Sequence, residues 1–309
     1  MPDTWTCPDT GKSFPTGASP TPRNLLAKAV PFYAPIATPP EHVAYVPRYR
    51  SMFGNDRFGC CVSSEEFFAK TCVNPELFNS QAILDKLETL CIAWARSHGV
   101  LNGASLDYVL DAMAERGFQL DSQLFNDGPK LAVDYTNEAV LKAAIAQGPV
   151  KLAIGSSALP GGAGSQDGYY ALTSRNYSSD HSTTLCGYGT VEYCYAALNL
   201  PVPSAITAGT PGYLHYTWRT IGFVTQNWVD GATDEAWVRN PTTVGIPPLT
   251  PPVPPKPPEP PPITGTIYAE QVGSAIAIRG GFTTAENFKY IIIPNGDGSY
   301  RVVPATVFL

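Results

Sequence analysis

The chain has 309 residues and a formal net charge of −6 at pH 7, and 44% of its residues are hydrophobic while 15% are charged. A chain of this length can bury a sizeable core, either as one large domain with a small companion or as two domains. Its acidity and its scattered Lys and Arg residues argue against a nucleic-acid-binding surface. It has no apolar run long enough to span a membrane.

The cysteines and the first residues bear on the compartment. Seven cysteines form no Cys-x-x-Cys pair and no zinc-like spacing, so we expect mostly free thiols. The start of the chain, MPDTWTCPDTGKSF, lacks the basic residues and the apolar stretch of a secretory signal. The sequence therefore leaves the compartment open, and it favours the cytoplasm or a virion-like assembly over classical secretion.

The N-terminal part of the chain predicts an arm followed by helices. Residues 1–47 are rich in Pro, Thr and Ala and show little periodicity, which predicts an extended arm that wraps the main body. Apolar residues at helical spacing then predict a helix that begins near Cys61 and further helices at 82–97, 106–116 and 137–147.

The second half of the main body has the period of strands. We expect strands at 150–154, 182–187, 212–218, 222–226 and 235–239. Helices followed by strands are typical of an α+β fold. Residues 48–245 are therefore predicted to form one α+β domain.

The clearest domain boundary is the proline-rich segment 246–263, IPPLTPPVPPKPPEPPPI. This composition predicts a semi-rigid spacer with polyproline conformation. Residues 264–309 then contain β-branched and aromatic runs and a turn sequence at 295–298, which together predict a β module built of hairpins. So short a module has a small core, and we expect it to bind a protein partner or to self-associate.

The segment GNDRFGCCVSSEEFF contains the first parts of a possible thiol nucleophile site. Such a site needs a stabilised thiolate, donors for an oxyanion, and a base with an orienting partner. A helix is predicted to begin at the two cysteines, and Asn55 lies six residues before Cys61. Taken alone, a cysteine at a helix start is more often structural than catalytic, and Asn55 also suits a simple turn.

A second segment, DHSTTLCGYG at 180–189, places His181 at the start of an apolar strand that ends in Gly-Tyr-Gly. This pattern resembles the papain-like cysteine peptidases, in which five residues separate the catalytic His from a Gly-Tyr-Gly sequence. The resemblance implies that His181 is the general base of a thiol hydrolase.

The nucleophile motif of that family is matched in part. Gly59 matches the Gly two residues before the nucleophile, and Cys61 matches the nucleophile itself. Asn55 stands where the family has Gln, and Val62 replaces the Trp that usually follows the Cys. The spacing to Asn55 and Gly59 favours Cys61 over its neighbour Cys60.

The third motif of the family is Asn-Ser-Trp-Gly, followed by a strand that begins at an aromatic residue nine positions past the Trp. Trp228 and Trp237 have this spacing, and Arg239 falls on the Arg of the family pattern. This alignment puts Gln226 at the orienting amide and Asn227 at the Ser. Because the Asn is absent from its own position, either Gln226 or a shifted Asn227 has to orient the imidazole.

The family usually joins a Cys three residues before the nucleophile to a Cys in the substrate-binding loop. Phe58 and Leu101 stand at these two places, so we expect a hydrophobic pair instead of a disulfide. The resemblance further implies that Asn102, Gly103 and Ala104, which follow Leu101, pair with the backbone of a peptide substrate.

The resemblance covers roughly residues 40–240 and implies a two-lobed papain-like fold, with a helical lobe, a β-barrel-like lobe and a cleft between them. It implies hydrolysis of a peptide or amide bond, in which Cys61 attacks, His181 carries the proton and Asn55 binds the oxyanion together with the Cys61 N–H. Gln226 or Asn227 would orient the imidazole. No metal or organic cofactor is implied, and the expected partner is a peptide or protein substrate.

The alternative is a non-catalytic papain-like scaffold that serves as a structural or attachment component, for example of a virion or a surface assembly. Three features favour it: the family's long inhibitory propeptide is missing, the third motif departs from the pattern, and a proline-rich spacer carries a small β module. Chains with this nucleophile segment also resemble proteins of bacteria and their phages. Thiolate reactivity at neutral pH discriminates the two hypotheses.

Overall fold

A computed structural model of the chain describes residues 3–32, 38–175 and 178–239 in full, and the backbone of 241–243, 267–272, 275–280, 289–294 and 300–304. The chain divides into two compact units, Met1–Leu249 and Thr250–Leu309. The predicted linker at 246–263 and the predicted turn at 295–298 lie outside the described residues. The remaining domain limits stay predictions.

Helices occur throughout the first unit. The described residues form α1 (Arg23–Leu26), α2 (Cys61–Val73), α3 (Gln81–Ser97), α4 (Leu106–Glu115), α5 (Glu138–Ile145), α6 (Val191–Ala197) and α7 (Gln226–Ala232), with one 3-10 turn at Ser156–Ala158. The side chains of Ser80, Ser105 and Asn137 cap α3, α4 and α5 by accepting first-turn N–H groups. The four predicted helices are therefore confirmed. Within the described ranges, none of the helices has the length and apolarity that crossing a membrane requires.

The strands of the first unit form one large sheet and three small ones. They are β1 (Thr4–Thr6), β2 (Ser13–Pro15), β3 (Ala18–Ser19), β4 (Val43–Ala44), β5 (Ala104–Ser105), β6 (Phe118–Leu120), β7 (Gln123–Asp127), β8 (Leu131–Ala132), β9 (Val150–Ile154), β10 (Tyr170–Ala171), β11 (His181–Thr190), β12 (Pro211–Thr217), β13 (Thr220–Val224), β14 (Thr233–Val238) and β15 (Pro241–Thr243). The large sheet has the order β10-β13-β12-β11-β9-β14-β8, with β4 paired to β11.

The predicted α+β class is confirmed. One element differs from expectation, because the strand predicted at 222–226 ends at Val224 and Gln226 begins α7.

Helix α2 positions the candidate nucleophile. All of its residues except Val73 are buried, because it packs against α3 and α4 on one side and against β11 on the other. Phe67 stacks on Phe118 with ring centroids 4.1 Å apart, and Phe68 stacks on Tyr216 at 3.5 Å. A helix covered on all sides is held in one orientation, and so is the residue at its N-terminus.

Six buried charges lie between α2 and the β-strands. They are Glu65, Glu66 and Lys70 of α2, Asp127 of β7, Lys151 of β9 and Arg239 after β14. Lys151 Nζ lies 2.7 Å from Glu65 and 2.5 Å from Glu66, and the Arg239 guanidinium lies 2.7 Å and 2.8 Å from the same two carboxylates. The three negative and three positive charges balance, which is the condition under which burial of charge is tolerated. This ion cluster ties α2 to the sheet that carries His181.

The second unit contains a separate antiparallel sheet. Its strands are β16 (Ile267–Val272), β17 (Ala275–Gly280), β18 (Lys289–Pro294) and β19 (Tyr300–Pro304), paired in that order. The β-branched and aromatic runs that predict strands here, at 266–268, 275–278, 290–293 and 300–303, overlap these four strands. The sequential antiparallel pairing is that of consecutive hairpins.

Candidate active site

The two adjacent cysteines have different surroundings. Cys60 is the N-cap of α2, and its sulfur lies 3.4 Å from the hydroxyl of Ser64 within the helical part of the core. Cys61 is the first residue of α2, and its sulfur is hydrogen-bonded to the backbone of Ser182, the residue after His181. Of the two thiols, Cys61 is therefore the one that lies beside the strand of the candidate base.

The Cys61 thiol is buried and neutral in this form. Burial raises the pKa of Cys61 to about 12, although hydrogen bonds with the backbone of Ser182 and Gly17 act in the opposite direction. All seven cysteines are buried free thiols, as expected from their spacing. Within the described residues no group of His, Cys, Asp and Glu side chains is arranged to hold a metal ion.

His181 is the first residue of β11, and it is held by a hydroxyl and an indole. Its Nε2 lies 2.8 Å from Thr217 Oγ1, and its ring stacks on Trp218 with centroids 4.2 Å apart. Among the described residues its Nδ1 has no hydrogen-bond partner, the Cys61 thiol included. Burial, with a smaller effect of nearby His215, lowers the pKa of His181 to about 3. The imidazole is therefore neutral. Its Nε2 is hydrogen-bonded, and its Nδ1 has no hydrogen-bond partner among the described residues.

The residue that bonds the imidazole is Thr217, and not Gln226 or Asn227 as the sequence spacing predicted. Gln226 lies at the start of α7, where its Oε1 accepts from Tyr213 at 2.5 Å and its Nε2 donates to the Tyr135 carbonyl. Asn227 follows it and is exposed.

The physical reason for this correction is the pairing of strands. Strand β12 pairs antiparallel with β11, and the hairpin to β13 ends β12 at Thr217, beside the beginning of β11. Helix α7, which begins at Gln226, follows only after β13. The spacing between Trp228 and Trp237 therefore does not identify the residue that hydrogen-bonds His181. Trp218 covers His181, whereas Trp228 packs against His215 at 4.8 Å and donates to the Ala158 carbonyl.

Asn55, the expected oxyanion donor, lies in the loop before α2. Its side chain is buried, and Nδ2 donates to the carbonyl oxygens of Phe58 at 2.8 Å and Pro15 at 3.2 Å. One of its two amide hydrogens thus stabilises the loop before α2. The other is directed at a backbone carbonyl of the N-terminal arm.

The N-terminal arm lies across the predicted substrate-binding loop. Strand β3 of the arm pairs in parallel with β5, so that Ala18 is the partner of Ala104. Ala104 N–H donates to the Gly17 carbonyl at 2.9 Å, while Gly17 N–H and Ala18 N–H both donate to the carbonyl of Asp180. The loop predicted to bind a substrate backbone is therefore paired with the backbone of the chain itself, and its binding of a substrate stays a prediction. Asn102 is exposed in the turn before this pair.

The arm fits because three glycines meet at this point. A Cβ placed on Gly17 would lie 1.9 Å from the Gly59 carbonyl oxygen, far inside van der Waals contact. A Cβ on Gly103 would lie 3.3 Å from the Gly17 carbonyl oxygen. Any side chain at Gly17 would therefore force the arm away from the loop that precedes Cys61.

The hairpin of β1 and β2 packs on Trp218, the residue that covers His181. Trp5 and Phe14 of this hairpin stack on Trp218 with centroids 5.1 Å and 4.7 Å apart, and Trp218 in turn stacks on His181. Cys61 is only 2% exposed and His181 only 1%. Both residues are therefore almost inaccessible to solvent in this form.

Comparison with known proteins finds similar chains among solved structures. No family model matches the sequence, and no curated protein matches it. The chain is similar to the proform of Amb a 11, a cysteine protease and ragweed pollen allergen, at 12% identity over 70% of this chain and 73% of that chain, with a TM-score of 0.46. Digestive procathepsin L 3 of Tenebrio molitor larval midgut is similar at 14% identity over 68% and 73%, with a TM-score of 0.48. A Carica candamarcensis cysteine protease in complex with E-64 is similar at 16% identity over 65% and 98%, with a TM-score of 0.39. Two of these structures are of cysteine proteases and one is of a procathepsin.

The remaining predicted feature is the apolar pair that would replace a disulfide. Phe58 and Leu101 are half-buried and pack against the same hydrophobic core. A direct contact between them stays a prediction.

The functional positions missed from the sequence are Thr217, Trp218 and Gly17. A signal for the first two was present, because the strand predicted at 212–218 ends in a Thr-Trp pair.

Proposed function

We propose that the chain is a thiol hydrolase that cleaves a peptide or amide bond and is covered by its own N-terminal arm in the form described here. The observation that carries the proposal is the state of the His181 imidazole. One nitrogen is bonded to Thr217, the other has no partner among the described residues, and the Cys61 thiol lies against the next residue of the same strand. A base held on one side and free on the other is what a thiol nucleophile needs.

The proposed reaction uses only side chains and backbone groups of this chain. With Nε2–H donating to Thr217, Nδ1 of His181 takes the proton of the Cys61 thiol as the sulfur attacks the carbonyl carbon. The oxyanion accepts hydrogen bonds from Asn55 Nδ2 and the Cys61 N–H. His181 then returns the proton to the leaving amine, and water hydrolyses the thioester with His181 again as the base.

The buried resting state is unreactive for an electrostatic reason. Burial raises the pKa of Cys61 to about 12 and lowers the pKa of His181 to about 3, so proton transfer from sulfur to imidazole is unfavourable in the covered site. Both shifts originate in burial, and admission of water reverses them. Displacement of the arm is therefore proposed to activate the site as well as to open it.

The full-length variant Gly17→Ala tests this function, because its methyl group cannot coexist with the Gly59 carbonyl. We expect hydrolysis of a mixture of short peptides by Gly17→Ala, followed by mass spectrometry, to exceed hydrolysis by the wild type. Ser19→Ala, an exposed change two residues along the same arm, should behave as the wild type. Adding Cys61→Ala to Gly17→Ala should abolish the gain.

One observation favours the non-catalytic scaffold as a second candidate. The site is closed by several independent contacts of the arm, on Asn55, on Asp180 and on Trp218. If a folded Gly17→Ala variant hydrolyses no peptide while its arm is displaced, the scaffold hypothesis replaces the hydrolase. Circular dichroism checks folding, and limited proteolysis within residues 1–47 checks arm displacement.

We also propose the division of the chain implied by its composition: an arm at 1–47, a papain-like domain at 48–245, a linker at 246–263 and an attachment module at 264–309. The proline-rich composition of the linker and the four-stranded sheet after it support this division. The module would hold the hydrolase to a protein partner or to another copy of the chain.

A further inference from the structure

The hairpin turn between β12 and β13 contains two residues in unfavourable backbone conformations. Trp218 and Arg219 have φ of 41° and 64°, and they are the two loop residues between the paired Thr217 and Thr220. Two-residue hairpin turns with positive φ are normally formed by Asn-Gly or Gly-Gly, because a Cβ makes this conformation costly. The stacking of Trp218 on His181 explains the positive φ of Trp218. The positive φ of Arg219 needs another explanation.

Arg219 lines a polar pocket of about 290 Å³. The other charged residues around it are Arg48, Arg50 and Asp167, and Gln81 and Gln166 also contribute. Arg50 binds Asp167 with two parallel hydrogen bonds of 2.7 Å, and the same carboxylate accepts the Ile221 N–H at 2.9 Å.

Two of the three guanidinium groups remain uncompensated. Arg48 and Arg219 are exposed, and among the described residues neither side chain forms an ion pair or a hydrogen bond. Asp167 is fully engaged by Arg50, so the pocket carries an excess of two positive charges. This local excess occurs in a chain whose formal net charge is −6. An anion that enters the pocket meets two guanidinium groups that have no anionic partner among the described residues, although that of Arg48 lies over the Tyr49 ring at 5.3 Å. Their planar donors match an oxyanion with two oxygens.

We propose that this pocket binds a carboxylate of the substrate peptide and thereby selects which peptides are cleaved. The proposal rests on the proposed hydrolase function. It follows from position: Arg219, which lines the pocket, directly follows Trp218 in the hairpin turn, and the Trp218 ring stacks on that of His181 at 4.2 Å. The carboxylate belongs either to an acidic side chain or to the free C-terminus of the peptide, and both present the same chemistry to the arginines.

Arginine modification tests the pocket without any catalysis. The full-length wild type is treated with phenylglyoxal, and adducts are mapped by mass spectrometry in the presence of three short peptides. These are tetra-alanine with a free C-terminus, its C-terminal amide, and acetyl-Ala-Glu-Ala-amide. We expect a carboxylate peptide to slow modification of Arg219 and Arg48 severalfold, and the amide to have no effect. Arg96, which is also exposed, serves as the internal control.

The pattern of protection identifies the source of the carboxylate. Protection by tetra-alanine assigns it to the C-terminus, and protection by the glutamate peptide assigns it to a side chain. Equal modification rates with all three peptides, or equal protection of Arg96, would overturn the proposal. Protection of the pocket in a protein whose Gly17→Ala variant cleaves nothing would leave the anion site standing and refute the hydrolase.

Kinetics in the Gly17→Ala background test the selection itself. Arg219→Gln should lower kcat/KM for the carboxylate peptide about tenfold and leave that for its amide unchanged, because a charge-assisted hydrogen bond is lost. Arg96→Gln should change neither value. An equal loss for the acid and the amide would contradict a carboxylate site.

Discussion

At the scale of single residues, the site depends on a threonine where the family resemblance led to an amide. A threonine hydroxyl accepts a hydrogen bond from Nε2–H, but it also rotates and donates, whereas an amide oxygen only accepts. Thr217 therefore holds the ring of His181 in place and fixes its tautomer less firmly than an amide would. The local motifs alone predict Cys61, His181 and Asn55 as site residues, because each lies within one continuous segment, and their roles stay predictions.

Thr217→Val removes this hydrogen bond and keeps the shape of the side chain. In the Gly17→Ala background we expect kcat for a small peptide to fall about tenfold, the effect of one lost hydrogen bond to the base, while KM stays nearly constant. Thr217→Ser keeps the hydroxyl and should retain most of the activity. An unchanged kcat in the valine variant would show that Thr217 does not position the imidazole.

Two buried histidines make stability depend on pH. Burial lowers the pKa of both His181 and His215 to about 3, while an unfolded chain binds these protons near pH 6.5. The unfolded state therefore binds more protons than the folded state between about pH 6.5 and pH 3, so the free energy of unfolding falls as the pH is lowered through this window. Each histidine contributes about 1.4 kcal/mol per pH unit, and the contribution is complete above pH 6.5.

Urea unfolding between pH 7 and pH 4 measures this slope. His215→Phe, which keeps an aromatic ring against Trp228, should reduce the slope by about 1.4 kcal/mol per pH unit. A slope identical to that of the wild type would show that His215 is protonated in the folded protein.

At the scale of elements, features set by local sequence pattern could be predicted, and features set by partners far along the chain could not. The helices and the main strands were predicted within a few residues, because apolar spacing and caps are local properties. The burial of Glu65 and Glu66 was not predicted, because their partners lie far along the chain. Glu66 and Lys151 are 85 positions apart, and Glu65 and Arg239 are 174 apart. For the same reason Gln226 was misassigned, since only the pairing of β12 with β11 selects Thr217.

Lys151→Met tests how strongly the ion cluster holds α2 against the sheet. The substitution leaves two buried carboxylates with one cation fewer, and we expect a loss of about 3 kcal/mol or more in the free energy of unfolding. Lys142→Met removes a partly exposed pair with Glu138 and should cost less than about 0.5 kcal/mol. Equal urea midpoints for the two variants would show that the ion cluster is not needed for stability.

At the scale of the whole molecule, the arm is the feature that sequence reasoning could only outline. Its extended character was visible in its composition, but SFPTGAS carries no signal for the strand pair with Ala104. The reason is that Gly17 and Ala18 are recognised through their backbones, and backbone recognition leaves almost no mark on the sequence. The boundary predicted between the two units rests on proline, which changes the composition abruptly.

Deletion of residues 246–309 tests the proposed attachment role of the second unit. In the Gly17→Ala background we expect the truncated protein to hydrolyse a small peptide at the same kcat, because the site residues all belong to Met1–Leu249. Self-association or retention on a partner, measured by sedimentation and pull-down, should be lost. Loss of small-peptide hydrolysis in a folded truncation would place the second unit in the active body.

The central claim is that His181 activates Cys61 once the arm is displaced. The measurement that tests it most directly is the rate of alkylation of Cys61 by iodoacetamide at neutral pH, mapped by mass spectrometry against the other six cysteines. We predict fast labelling in Gly17→Ala, slow labelling in the wild type, and a rate at least about tenfold lower when His181→Gln is added to a folded Gly17→Ala. Equal Cys61 labelling rates in Gly17→Ala with and without His181 would contradict the account.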